Sequence, residues 1–190
     1  MRSKESELLM PEVQRALQDA GQNMGGVQRI VCGAGPGSFT SLRIAASIAK
    51  GIAVGRGIPL FAVSSLALIV AGNVSDGPRG PRRYLAALDA LRDESYAGLF
   101  EHDAGRVSAA GEMMLVRTEE LAGIGLTHAA RVVGPDQPEE WLPHARGVSL
   151  LMDVIEGAGP VDLAGWEPVY GRMAEAQVKW EATHGRALKA

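Results

Sequence analysis

Hydrophobic positions recur along this chain in two periods, and the change from one to the other organises it. Over Ser6–Ala20 the apolar residues Leu9, Val13 and Leu17 fall at i, i+4 and i+8, with Ala16 and Ala20 beside them. That spacing predicts an amphipathic helix stopped by Gly21. Pro11 is tolerated only near a helix's first turn, so the helix starts near Met10 or bends there. Val27–Cys32 is a short, mostly β-branched run that predicts a buried strand. It ends in the glycine-rich segment Gly33-Ala34-Gly35-Pro36-Gly37-Ser38-Phe39-Thr40. A second helix is predicted from Thr40 to Gly55. Ile44, Ile48 and Ile52 line one side of it; Ala45, Ala46, Ala49 and Ala53 keep the rest slim enough for close backbone approach. Pro59–Val63 predicts a second strand, and Ser64-Ser65 can cap a third helix through Val70.

Asn73–Arg83 is rich in Gly, Pro and Arg and marks a boundary between lobes. Beyond it the pattern changes: Tyr84–Ala90 is apolar and strand-like, and Ser95–Glu101 alternates. Tyr84–Ala90, Ser95–Glu101 and Glu112–Val116, with turns at Leu91–Glu94 and Asp103-Ala104-Gly105, predict an antiparallel meander. Thr118–Leu121 begins a short helix, Arg131–Gly134 ends a strand, and Ser149–Glu156 belongs to another helix. The chain divides into 1–78, a first lobe; 79–165, a second lobe with the meander; and 166–190, a tail returning to the first lobe.

Composition narrows the function. A hydrophobic fraction of 46% against 22% charged residues predicts a packed core. The net charge of −3 argues against independent binding to a nucleic-acid backbone. Cys32 is the sole cysteine, which rules out an intramolecular disulfide and any zinc site with two thiolates. The first residues lack an apolar run of the secretory type, and the most apolar stretch, Ile58–Gly72, is too short to span a bilayer. These features predict a cytoplasmic protein without a membrane segment.

The glycine-rich segment has the sharpest chemistry. Glycines there could bring backbone amides close to an anion at the start of the second helix. They could equally serve a tight strand-to-helix turn with Phe39 wedged into the core. No Lys-Ser or Lys-Thr follows the loop, the third glycine comes too early for a dinucleotide fingerprint, and Ser38 is not in a nucleophile elbow. Arg43 sits where a helix dipole disfavours a cation, which calls for a compensating carboxylate, a partner chain or a bound anion; an ordinary solvated or salt-bridged arginine fits the sequence equally. His102, His128, His144 and His184 are isolated, so neither a helical metal site nor a catalytic histidine is expected. No cofactor is expected. Trp141, Trp166 and Trp180 read as packing residues.

Gly33-Ala-Gly-Pro-Gly-Ser-Phe-Thr-Ser-Leu-Arg43 resembles the glycine signature of the TsaB family, also called YeaZ. The segments Gly57–Leu66, Ala87–Tyr96 and Glu167-Pro168-Val169-Tyr170-Gly171-Arg172 resemble it in order. The resemblance implies an α/β, two-lobed fold of the actin-like ATPase and sugar-kinase type. It also implies a part in making N6-threonylcarbamoyladenosine on tRNA. In that family the chain is not the catalyst: it pairs through its first helices with a TsaD-like transferase, joined by a TsaE-like ATPase. A homodimer is a further possibility, and tRNA is met only indirectly. The first helix then presents Leu9, Val13 and Leu17, and the second presents either Ala45, Ala49 and Ala53 or the isoleucine stripe. The alanine stripe is the one expected to dock, so Ala49→Glu should abolish pairing and leave the monomer folded. Gly33, Gly35, Pro36, Gly37, Ser38, Phe39, Thr40 and Arg43 form the motif and candidate anion site; Pro168, Tyr170 and Arg172 form the C-terminal motif.

Four departures stand out. The chain opens almost at the first helix, where the family has strands carrying an Asp-Thr, so the first lobe is expected to be truncated and Met1 to be an internal start. Ser41 stands where glycine is usual, Leu91-Arg92 shifts the family's arginine by one place, and 134–149 looks compressed. Two other readings compete: a stand-alone actin-like enzyme of kinase or peptidase type, and a non-functional fragment whose two first-lobe strands would be unstable alone.

Overall fold

The computed structural model describes residues 9–74 and 82–170. Its first element, α1 (Leu9–Asp19), puts Pro11 in the first turn, where a missing N–H costs no helical bond. A 3-10 turn at Met24–Gly26 leads into β1 (Ile30–Gly33), shorter than the predicted Val27–Cys32. The glycine-rich turn then launches α2 (Phe39–Arg56). Gly57 ends α2 in the left-handed conformation, its N–H bonding the Ala53 and Val54 carbonyls. β2 (Leu60–Val63) runs parallel to β1, pairing Ile30 with Leu60 through Gly33 with Val63.

α3 (Ser65–Asn73) is apolar all round, and such a helix must be covered on every side. It is capped by Ser64, whose hydroxyl accepts the Leu66 N–H at 3.2 Å. One side of α3 meets Phe61 and Val63 of β2; the other meets the larger sheet. That sheet is built from β3 (Arg82–Asp89), β4 (Glu94–Asp103), β5 (Arg106–Ala109), β6 (Met114–Arg117), β7 (Ala130–Gly134) and β8 (Glu139–Glu140). Its order is β5-β4-β3-β7-β8. The predicted meander holds for β3, β4 and β5; β6, near its predicted last strand, pairs back with β4 instead of with β5. β4 is ten residues long, so β5 pairs with its Phe100–Asp103 end and β6 with its Glu94–Ala97 end. β7 then adds parallel to β3, which makes the sheet mixed. A 3-10 turn (Thr118–Glu120) and α4 (Leu121–Thr127) precede β7; a 3-10 segment (Ala145–Leu151) and α5 (Met152–Ala158) follow β8.

Alternation sorts the sheet residues onto two faces. Tyr84, Ala86, Phe100, Val107 and Val133 join α3, Leu151 and Ile155 in the main core. Leu85, Ala87, Ala97 and Leu99 face Leu121 and Ile124 of α4. The buried interior thus continues from Phe61 and Leu66 to Tyr84 and Phe100 without a break in packing.

The two-stranded sheet, expected to be unstable alone, is not alone. Val31, Phe61 and Val63 face the α3 core, while Ile30, Cys32 and Leu60 face α2. The Val161 N–H reaches the Leu60 carbonyl at 2.8 Å, so the chain after α5 returns to this sheet. With both faces covered, its few ladder bonds are reinforced by packing. No helix of the described residues is long and apolar enough to cross a membrane.

Candidate functional site

Helix α1 is amphipathic, yet none of its residues is buried. Leu9, Val13 and Leu17 are only half-covered, as is Met10. An apolar stripe left in that condition is unfinished packing: water still wets side chains whose removal from it is worth about 25 cal/mol per Å². Arg15, with Glu12 and Asp19 at 3.5 and 4.0 Å, occupies the exposed side.

α2 resolves the choice between its two stripes. Ala49 and Ala53 are 6% and 0% exposed and pack with Cys32 and Leu60; Ala46 is buried and Ala45 half-buried in the same direction. The alanine stripe therefore covers the protein's own sheet and is not the docking rib expected from the sequence. The reason is steric: small side chains are what let α2 lie close on the β1–β2 pair. Ala49→Glu would put a carboxylate into that seam, so it cannot be the fold-neutral probe either. Ile44, Ile48 and Ile52 are left half-exposed.

Between α1 and α2 lies an open groove of about 590 Å³. Met10 and Leu17 line it from α1, Met24 from the 3-10 turn, and Ile52 and Arg56 from α2. The Arg56 guanidinium donates to the Gly25 carbonyl at 2.7 Å, tying the 3-10 turn to the end of α2 and fixing the groove's floor. Sequence periodicity found Leu17 and the Ile52 stripe; it missed Met10 and Met24, whose place depends on the turn at 20–26. A smaller hollow of about 360 Å³ by Phe61 and Pro59 is flanked by the Arg29–Glu156 pair at 2.6 Å. That pair is half-exposed and contributes little.

The glycine-rich turn is used differently from an open anion cradle. The Ala34 N–H bonds Val63 O at 2.7 Å, Gly35 O accepts from Ser65 N at 2.8 Å, and Ala34 O accepts from Val169 N at 2.7 Å. Gly35 has φ +94°, and a Cβ there would lie 2.1 Å from the Val169 carbonyl oxygen. Only glycine fits. The close approach it permits is taken by the protein's own returning chain. Gly33 and Gly37 are half-covered, Pro36 is buried, and Ser38 and Thr40 are exposed. Ser38 precedes α2 without a side-chain capping bond.

Phe39 is 36% exposed rather than wedged into the core, and the Tyr170 ring lies tilted against it at 4.6 Å between ring centroids. Arg43, for which a carboxylate, partner or anion was one expectation, lies 5.3 Å over the Phe39 ring. The ring's negative face offsets the unfavourable dipole position. Burial, with Glu167 nearby, raises the Tyr170 phenol above its ordinary value, and Arg43 partly offsets this. Pro168 is buried. Arg172 falls outside the described residues. Burial also pushes up the Cys32 thiol. Among the described residues no group of three or more His, Cys, Asp or Glu could hold a metal ion.

With this geometry in hand, known proteins place the chain. The family model for TsaD, tRNA N6-adenosine threonylcarbamoyltransferase, matches residues 2–141. The Bacillus subtilis (strain 168) tRNA threonylcarbamoyladenosine biosynthesis protein TsaB is 30% identical over 200 residues, covering 90% of this chain and 81% of that protein. The Escherichia coli (strain K12) TsaB is 33% identical over 113 residues, covering 60% of this chain. The chain matches about half, 48%, of the E. coli protein's length. A crystal structure of a Pseudomonas aeruginosa protein similar to peptidase YeaZ superposes with TM-score 0.72 at 31% identity, covering 87% of this chain and 83% of that one. A second, of YeaZ from Pseudomonas aeruginosa, gives 0.69 at 29% with the same coverage.

Proposed function

The chain belongs to the TsaB (YeaZ) family of tRNA threonylcarbamoyladenosine biosynthesis proteins, with its actin-like ATPase type of mixed α/β fold, and we propose that its part in that modification is to dock a TsaD-like catalytic subunit. The seat is the groove between α1 and α2. The observation that carries this reading is α1 itself, an amphipathic helix that buries no residue in its own chain. Leu17 and Ile52 line the groove; in this reading the docking surface continues along the half-covered Leu9 and Val13 of α1 and Ile44 and Ile48 of α2, in place of the alanines.

A pair of helices in a partner, packed ridges into grooves against this surface, would remove both stripes from water. The groove mixes apolar Met10, Leu17, Met24 and Ile52 with polar Gln14, Gln18 and Gln22, the composition of a protein-binding patch. In this reading the chain supplies no catalytic group, a TsaE-like ATPase joins the pair, and the tRNA is held mainly by the partners.

Titration of a TsaD-like subunit with Leu17→Glu and Ile52→Glu variants tests the proposal. A charge at the centre of such a patch should cost about 3 kcal/mol, roughly a hundredfold in Kd. Both positions are half-exposed in the monomer, so the melting temperature should hold. Unchanged affinity in both variants would place the interface elsewhere.

A further inference from the structure

We propose that residues 161–170 form a detachable strap, a unit that lifts off the β1–α2 seam while the rest of the molecule stays folded. The strap is anchored to the body at its ends. Val161 N–H donates to Leu60 O at 2.8 Å where β2 begins, and Val169 N–H donates to Ala34 O at 2.7 Å just past the end of β1. Between these anchors the backbone satisfies itself. Asp162 accepts from Ala164 N and Gly165 N at 3.2 and 3.1 Å through its carboxylate, and its carbonyl accepts from Trp166 N at 2.8 Å.

Lifting the strap therefore breaks two of the described backbone bonds to the body and leaves its internal turn intact. Segments with few bonds to the body are the ones that open below the global unfolding free energy. Its side chains hold it by contacts of moderate strength. Val161, Leu163 and Trp166 are half-buried against the cluster of Cys32, Ala49, Ala53 and Leu60. Lys50 lies 5.7 Å over the Trp166 ring, and the Tyr170 ring packs tilted against Phe39. Phe39, Arg43 and Lys50 share one stripe of α2, about 16 Å long from end to end at 1.5 Å per residue. The strap runs antiparallel to that stripe, with Trp166 at Lys50 and Tyr170 at Phe39.

The glycine-rich turn is then a seat built for this strap. Gly35 lacks a Cβ where the Val169 carbonyl passes, and the Ala34 carbonyl receives the Val169 N–H. The seated strap seals one side of the cluster that contains Cys32, which makes that thiol a built-in reporter of opening.

The test is the labelling rate of Cys32 by a thiol reagent at fixed pH, in the full chain without any partner. Val169→Pro removes the anchoring N–H, and Tyr170→Ala removes only the ring contact. Each should speed labelling at least tenfold, with the urea midpoint of the whole fold shifted too little to account for it. Labelling that accelerates only in step with global stability in both variants, or that stays unchanged in both, would overturn the strap as a separate unit. The partner titration above uses other residues, so the two accounts stand or fall separately.

Discussion

Single residues carry much of what makes this chain specific. Gly147 is one: a Cβ there would lie 2.0 Å from the Ala71 carbonyl oxygen, so the 3-10 segment after β8 can ride on the end of α3 only with glycine. The turn between β3 and β4 is another. Leu91, Arg92 and Asp93 all adopt φ near +60°, which costs side-chain-bearing residues energy; Asp89 compensates by accepting the Leu91 N–H at 2.8 Å. Cys32 gives a pH signature. Its thiol is raised above the ordinary 9.0 by burial, so the unfolded chain loses that proton first as pH rises. Stability is then intact below pH 9 and falls above it, until the folded thiol also ionises. Urea unfolding between pH 8 and 10 should show this decline, and Cys32→Ala should flatten it below the range where Tyr170 contributes. An equal decline in the variant would assign it to other groups.

The place of the turn was legible, but its left-handed backbone and the roles of Gly147 and Cys32 were not. A glycine, a three-residue turn and a lone cysteine acquire their roles from what the fold brings against them. Ser64 is the counter-example. Its capping role was legible because the bond is local, joining a hydroxyl to an N–H two residues on.

At the scale of elements, apolar spacing located α1 and α2, and apolar runs bounded by turn residues located α3 and β1 to β4, with β1 shorter than its run. Spacing could not decide which stripe of α2 turns inward. Both stripes are apolar; the deciding factor is the distance at which the helix must lie from β1 and β2, which a sequence does not state. The structure turns the alanines in, and this reverses the consequence of one substitution. Ala49→Glu should now lose several kcal/mol of stability, because a carboxylate would replace a methyl group that is 6% exposed. Thermal melts of Ala49→Glu and Ile48→Glu side by side check it: the first should fall sharply, the second little. Equal melts would mean that α2 is not seated by its alanines. The C-terminal motif was visible as a string of letters. Its use, pinning residues 161–170 across the glycine turn, depends on Val169 backbone atoms that no side-chain pattern reveals.

Across the whole molecule, α3 is the hinge pin of the architecture. It lies after the small sheet in sequence and packs against both sheets, so the main core spans the two. One side of the molecule is thereby completed by packing, and the other is not. α1 stands at the outer wall of the groove with its apolar stripe half-wet, and the net charge of −3 leaves protein, more than nucleic acid, as the partner that stripe suits.

Hydrogen–deuterium exchange of the full chain, with and without a TsaD-like subunit, reads this out across every segment at once. Complex formation should slow exchange most strongly in 9–19 and along α2, and leave β3–β8 unchanged. Protection confined to the larger sheet, with α1 exchanging as freely in the complex as alone, would contradict the account.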